Sequence, residues 1–169
     1  MKTEEIFQVL KEKFGDSIIE LNTANIEPFI LVNPFEIDKI SYFLRDTEQF
    51  LFDNLMLLSG VDDANGTKAN DIITGGTLSV YYHLESTQLN HKVVLRVSTP
   101  RENPEVVSVE EVWRSADWHE REAYDMFGII FLNHPDLRRI LMPYDWEFGF
   151  PLRKDYKNPE FYQGMKIPY

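Results

Sequence analysis

The chain has 169 residues, enough for one ordinary domain that buries roughly 70% of its unfolded surface. Twelve Phe, eight Tyr and three Trp within a 43% hydrophobic composition are globular values. The 28 acidic against 17 basic residues leave a net charge of -11, which argues against a nucleic-acid partner, whose phosphates call for clustered Lys and Arg.

Cysteine is absent, which excludes disulfides, a thiolate nucleophile and any zinc or iron–sulfur site held by the chain's own thiolates. The longest apolar stretch, Met126 to Leu132, is far short of the ~18 to 20 residues that span a bilayer. Met1 to Glu5 holds two acids and no apolar run, so no secretory signal is expected. The expectation is a soluble protein of the cytosol or an equivalent compartment.

Ile6, Val9, Leu10 and Phe14 recur at helical spacing over residues 4–14, and Gly15 follows as a stop. Ile18 to Leu21 and Phe29 to Val32 read as short strands. Asn33 can cap, Pro34 suits a first turn, and Ile37, Ile40, Phe43 and Leu44 predict a second helix running to about Asp46. Three strands are predicted next, Phe50 to Val61, Leu78 to Glu85 and Lys92 to Ser98. The connection between the first two, from Asp62 to Gly76, is long and turn-rich. Its acids invite a calcium reading, but the positions an EF-hand loop requires are filled by Asp62, Ala64, Gly66 and Ile73, of which only the first is a ligand type.

After Pro100 and Pro104, residues 109–127 read as one helix or as two shorter ones meeting near Ser115. From Pro143 to Tyr169 the chain carries four of its nine prolines and many aromatics with no regular period, so an extended arm is expected there, packed on this domain or on another chain. The predicted fold class is α+β: a two-layer α/β sandwich in the order α-β-β-α-β-β-β, with a mostly antiparallel or mixed sheet and its helices on one face, followed by a helix and the extended arm. Residues 1–142 form one domain on this reading and 143–169 the arm.

On a helical wheel Ala116, Glu120, Ala123, Tyr124 and Phe127 share one face, which puts Glu120 inside the apolar stripe. A carboxylate there needs an Arg or a group of backbone amides, and Arg138 and Arg139, beyond the turn signal of Asn133 to Pro135, are the nearest cations in sequence. A buried ion pair and a role in acid–base chemistry both stand open. Trp118 and Asp125 fall on the opposite face, so the helix is expected to be covered on both sides, unless Trp118 is simply solvated.

Among the four histidines, His119 and Glu122 at i and i+3 offer only two metal ligands, and His134 before Pro135 is expected to fix a turn by bonding nearby backbone or Glu122. Gly75 and Gly76 lack the spacing and the following helix of a dinucleotide turn. The arm residues Trp146, Phe148, Phe150, Arg153, Lys154 and Tyr156 have the composition of interface anchors.

Glu120-Arg121-Glu122, two residues, Asp125-Met126-Phe127, six residues, His134, three residues, Arg138, one residue and Ile140-Leu141 resemble the signature of the 30-kDa subunit family of respiratory complex I, the proton-pumping NADH:quinone oxidoreductase. Ala116-Asp117-Trp118 before it, and Asp145-Trp146, Gly149 and Pro151-Leu152-Arg153-Lys154-Asp155-Tyr156 after it, extend the likeness over about 116–156. Arg114 and Lys157 stand where many relatives carry Pro.

The resemblance implies a non-redox subunit of the peripheral arm. FMN, iron–sulfur clusters and quinone would then lie in partner subunits, and this chain would contact the quinone-site subunit and the iron–sulfur subunits. It further implies association with the cytoplasmic side of a bacterial inner membrane only through the complex. The implied structural ion pairs are Glu120, Arg121, Glu122, Asp125, His134, Arg138 and Arg139. The implied partner interface is Trp118, Asp145, Trp146, Phe148, Phe150, Arg153, Lys154, Asp155 and Tyr156. The corresponding subunit of a complex I-related membrane-bound hydrogenase is the alternative.

Overall fold

The computed structural model describes residues 1–167; the last two residues of the predicted arm, Pro168 and Tyr169, lie outside the described residues. Helix α1 (Thr3–Phe14) buries Ile6 and Leu10, and Gly15 ends it at φ 54° with its N–H on the Lys11 carbonyl. Strands β1 (Ile18–Asn22) and β2 (Phe29–Val32) pair antiparallel. Helix α2 (Ile37–Asp46) buries Ile37, Ile40, Ser41 and Leu44. It starts later than the sequence predicts because Asn33 caps a turn instead, its Oδ1 accepting the Phe35 N–H at 2.9 Å.

Strands β3 (Asn54–Asp62), β6 (Thr77–Ser86) and β7 (His91–Pro100) complete a five-stranded sheet of order β1-β2-β7-β6-β3. The β2–β7 pair is parallel and the other pairs are antiparallel, so the sheet is mixed. Alternation along β6 sends Leu78, Val80, Tyr82 and Leu84 into one core with Val93, Leu95 and Val97 of β7 and the apolar faces of the helices. The first of these strands is shorter than predicted. Phe50 and Phe52 are fully buried, but they precede the strand in a turn where Leu51 takes φ 45°.

Three small pairings have no counterpart in the sequence reading, one of them in the arm. The turn-rich connection folds into a hairpin of β4 (Thr67–Ala69) and β5 (Ile72–Thr74). Strand β8 (Glu105–Val107) pairs parallel with β9 (Ile130–Leu132), bracketing helix α3 (Ala116–Phe127).

The 109–127 stretch is therefore neither one helix nor two. Residues 109–113 make a single turn, with Trp113 N–H on the Val109 carbonyl at 3.0 Å. The Trp113 indole N–H bonds the Phe52 carbonyl at 2.9 Å, which ties this turn to the chain entering β3. Within the arm, β10 (Phe161–Tyr162) and β11 (Met165–Lys166) form a tight hairpin. No helix among the described residues is long and apolar enough to cross a membrane.

Candidate functional site

The charged residues of the motif converge on α3, whose inner face packs on β3. Gly60 permits that approach, since a Cβ there would come within 2.7 Å of the Phe127 ring. Glu120 is fully buried on this inner face, as its position in the apolar stripe implies. Neither Arg138 nor Arg139 reaches it. Its carboxyl instead accepts the Ser108 hydroxyl at 2.6 Å and the Val109 N–H at 2.8 Å, with His134 Nε2 at 3.9 Å. Burial pushes Glu120 up to about 8, although the Ser108 and Val109 bonds pull the other way, and Glu110 and Asp117 add to the upward push. Near neutral pH it is held mainly as the uncharged acid.

Asp125 has the opposite surroundings. It too is fully buried, because the segment after β9 folds across the outer face of α3. Its carboxylate accepts the N–H groups of Ile140 at 3.0 Å, Leu141 at 2.7 Å and Met142 at 2.8 Å, and pairs with Arg139 at 2.7 Å. Burial raises its pKa. The Met142 and Leu141 amides, the Arg139 guanidinium and the Ile140 amide outweigh that push and hold the group below the usual carboxylate range.

The remaining motif residues do not join one cluster. Arg121 bonds Asp117 one turn back at 3.1 Å and lies 3.6 Å from Asp136, which also pairs with Arg138 at 3.0 Å. Arg138 is 71% exposed at its side chain, which suits a solvent-side pair and not a buried one. Glu122 makes no ion pair among the described residues. It stands with His119 in a cleft of about 270 Å³ between α3 and β3.

His134 fixes its turn through Nδ1, which accepts the Asp136 N–H at 3.0 Å, while Nε2 faces the Asp117 carbonyl at 3.3 Å. Its anticipated alternative partner, Glu122, is not involved. Trp118 is 62% exposed, with the Arg121 guanidinium 4.4 Å from its ring centroid.

The arm meets the domain over a short stretch. Gly128 ends α3 in the left-handed region at φ 76°, and a Cβ there would collide with the ring of Phe150. Leu152 N–H bonds the Met126 carbonyl at 3.1 Å, and Arg153 Nε bonds the Phe127 carbonyl at 2.7 Å, so the arm satisfies carbonyls at the helix end. Lys154 N–H bonds Asp62 at 2.8 Å.

Arg101, buried, pairs with Asp62 at 2.5 Å and with Asp155, whose other oxygen accepts the Ile73 N–H at 3.2 Å. The Asp62 carboxylate, the one ligand type in the calcium reading, is thus committed to Arg101 and two backbone amides. Farther out, Trp146 packs against Phe148 and Tyr162, and Asp145 accepts the Tyr162 hydroxyl at 2.7 Å. Tyr144 is 95% exposed.

Ser108, Val109 and Arg101 are the residues that sequence reasoning missed, and with Arg101 the partners of Asp62. Ser108 sits where a cap would precede the helix read from 109, and its hydroxyl does accept the Glu110 N–H at 3.1 Å. Nothing near Arg101 in sequence signals its two distant partners.

The chain is a mixed α+β sandwich with a charged helix clamped between its sheet and its own C-terminal segment. The family model described as "Respiratory-chain NADH dehydrogenase, 30 Kd subunit" matches residues 30–162, and the chain belongs to this family.

Its similarity to named relatives extends over nearly its full length. It is 44% identical over 168 residues to the C subunit of the NADH-quinone oxidoreductase of Chloroherpeton thalassium, covering 98% of this chain and 65% of that protein. The protein of the same name from Chlorobium phaeobacteroides is 44% identical over 165 residues, covering 96% of this chain and 93% of that one. Among solved structures, the trypsin-resistant fragment (1-134) of Nqo5 matches with a TM-score of 0.56 at 25% identity, over 77% of this chain and 97% of that chain. The chain thus spans about two thirds of the Chloroherpeton protein's length and nearly all of the Chlorobium one.

Proposed function

We propose that the chain serves as a non-redox structural subunit of the peripheral arm of a proton-translocating NADH:quinone oxidoreductase. Electrons pass from NADH through FMN and iron–sulfur centres to quinone in partner subunits, and this chain supports the quinone-site subunit and borders iron–sulfur subunits through its surfaces. The observation that carries the reading is the 44% identity with the C subunit of an NADH-quinone oxidoreductase, sustained over 98% of the chain.

Two features agree with it. A chain with no cysteine offers no thiolate to an iron–sulfur cluster. The motif carboxylates Glu120 and Asp125 are spent on the chain's own hydroxyl, amides and Arg139, a use that builds rigidity. The hydrogenase alternative is not favoured by these relatives. One chain of an archaeal membrane-bound sulfane sulfur reductase is similar in fold alone, at a TM-score of 0.59 and 22% identity over 93% of this chain and 86% of that chain. On this reading, attachment to the cytoplasmic face of a bacterial inner membrane comes through the assembly.

Affinity purification from mildly solubilised membranes of cells carrying a tagged chain tests the reading. The expected result is a complex containing flavin and iron–sulfur subunits that reduces quinone with NADH. Recovery of the chain alone, or with hydrogenase subunits, would overturn it.

A further inference from the structure

The groups packed round Glu120 are poor in free positive charge. Its own helix presents Asp117 and the 109–113 turn presents the buried Glu110, and both resist its ionisation. Tyr82 of β6 stands within electrostatic reach, fully buried, with its hydroxyl unbonded among the described residues. The cations nearby are already taken, Arg121 of α3 by Asp117 at 3.1 Å and Arg101 by Asp62 of β3. The turn after β9 presents His134, whose Nε2 lies 3.9 Å from the Glu120 carboxyl.

The His134 side chain is fully buried, and its proton sits on Nε2, because the Asp136 N–H occupies the Nδ1 lone pair at 3.0 Å. That Nε2–H is spent on the Asp117 main-chain carbonyl at 3.3 Å, a neutral acceptor at the long end of hydrogen-bond range. The Asp117 carboxylate stands as near, at 3.3 Å, but Arg121 and solvent already serve it. An ionised Glu120 has only neutral donors, and a charged acceptor competes for an N–H better than a carbonyl does.

The proton on Glu120 also has a way out. Ser108 Oγ, 2.6 Å from Glu120, lines a cleft of about 190 Å³ between α2, β8 and the 109–113 turn, together with Asp38, Tyr42 and Glu111. Ser108 can pass the proton outward: its oxygen takes the proton of Glu120 while its own hydroxyl proton goes to a hydroxide ion of the solvent, which leaves as water.

We infer that Glu120, Ser108 and His134 form a pH-sensitive switch, in which the Glu120 carboxyl gives up its proton through Ser108 and then draws the His134 Nε2–H away from Asp117. The switch belongs to the chain itself and does not depend on the proposed function. His134 leads into Asp136, Arg138 and Arg139, so the start of the segment that covers α3 follows the protonation of Glu120. Burial of Glu120 sets the working range on the mildly alkaline side, at about 8.

NMR of carboxyl carbons and imidazole nitrogens in the full chain, taken from about pH 6 to about pH 10, tests this. The expected result is one carboxyl signal, missing in Glu120→Gln, that titrates at about 8. The His134 Nε2 signal should move with the same midpoint while Nδ1 remains an acceptor, and in Glu120→Gln the His134 signals should stay fixed. Ser108→Ala should raise the midpoint, because the Ser108 bond pulls it down, and Ser108→Thr should bring it back. The two Ser108 variants identify the carboxyl signal independently of Glu120→Gln.

A Glu120 carboxyl that titrates in the ordinary carboxylate range, or a His134 Nε2 signal that holds still while Glu120 titrates, would overturn the inference. Protonation of both His134 nitrogens together would overturn it also, since His134 would then be the titrating group. Each of these results leaves the proposed function standing, which the affinity purification tests by itself.

Discussion

Glu120 and Asp125 lie on one helix, are both closed off from solvent, and are treated in opposite ways. The inner side of α3 gives Glu120 one hydroxyl and one backbone N–H, both neutral, and burial wins, so the acid keeps its proton up to about 8. The outer side gives Asp125 three backbone N–H groups and a guanidinium, and they win against a shallower burial, holding it ionised. Loss of solvent contact therefore does not by itself set the charge of a carboxyl; its depth and the number and charge of the donors aimed at it do so together. The consequence is a division of labour. Glu120 knits β8 and the following turn to α3 as a neutral group, and Asp125 recruits the segment leading into the arm as an anion.

Removing the anion should cost most. Asp125→Asn leaves Arg139 without its partner and weakens bonds to three amides, so denaturant unfolding should show a loss of about 3 kcal/mol. Limited proteolysis should then cut first near 140–150. Gly128→Ala comes next, at about 2 kcal/mol, since it forces a side chain into the left-handed region and against Phe150. Its signature is a loosened arm over an intact sheet, read by hydrogen exchange.

Glu120→Gln is the direct contrast, and its effect should depend on pH. A carboxyl at about 8 when folded and near 4.5 when unfolded binds its proton more tightly in the native state. The parent therefore loses stability as pH rises between those two values, by at most about 1.4 kcal/mol per pH unit, and Glu120→Gln does not share the loss. Melting curves of the two proteins should lie close together below pH 4.5 and separate in favour of Glu120→Gln toward pH 8. Asp125 acts with the opposite sign, since its stabilisation is present above the ordinary carboxylate value and fades only as pH falls through its lowered one. Trp118→Ala should matter least to the isolated chain, about 0.5 kcal/mol from the lost Arg121 stack.

The sheet and the first two helices were legible because their apolar residues keep a clean period of two or of 3.6. The wheel also placed Glu120 correctly, since it sits among Ala116, Ala123 and Phe127. It also put Asp125 on the opposite face, which was expected to be covered, and Asp125 is buried there under an irregular segment without a period to read, while Trp118 on the same face stays exposed. The choice of partner was the least visible. Charge and proximity favour Arg138 or Arg139 for Glu120, but a neutral acid has no need of a cation, and Ser108 and Val109 serve it. Arg101 joins Asp62 to Asp155 across long stretches of sequence, and single-chain patterns carry no trace of such pairings. The parallel β8–β9 pair escaped for a related reason: its strands are three residues each, too short for any alternation.

The most direct measurement is NADH:quinone turnover per assembled complex in membranes from a Glu120→Gln strain, with assembly quantified on native gels. If the motif is a structural clamp, the variant complex assembles and reduces quinone at the parental rate per complex, because a neutral group has replaced a neutral group. Normal assembly with lost quinone reduction would contradict this, and would mean that the Glu120 proton takes part in the reaction.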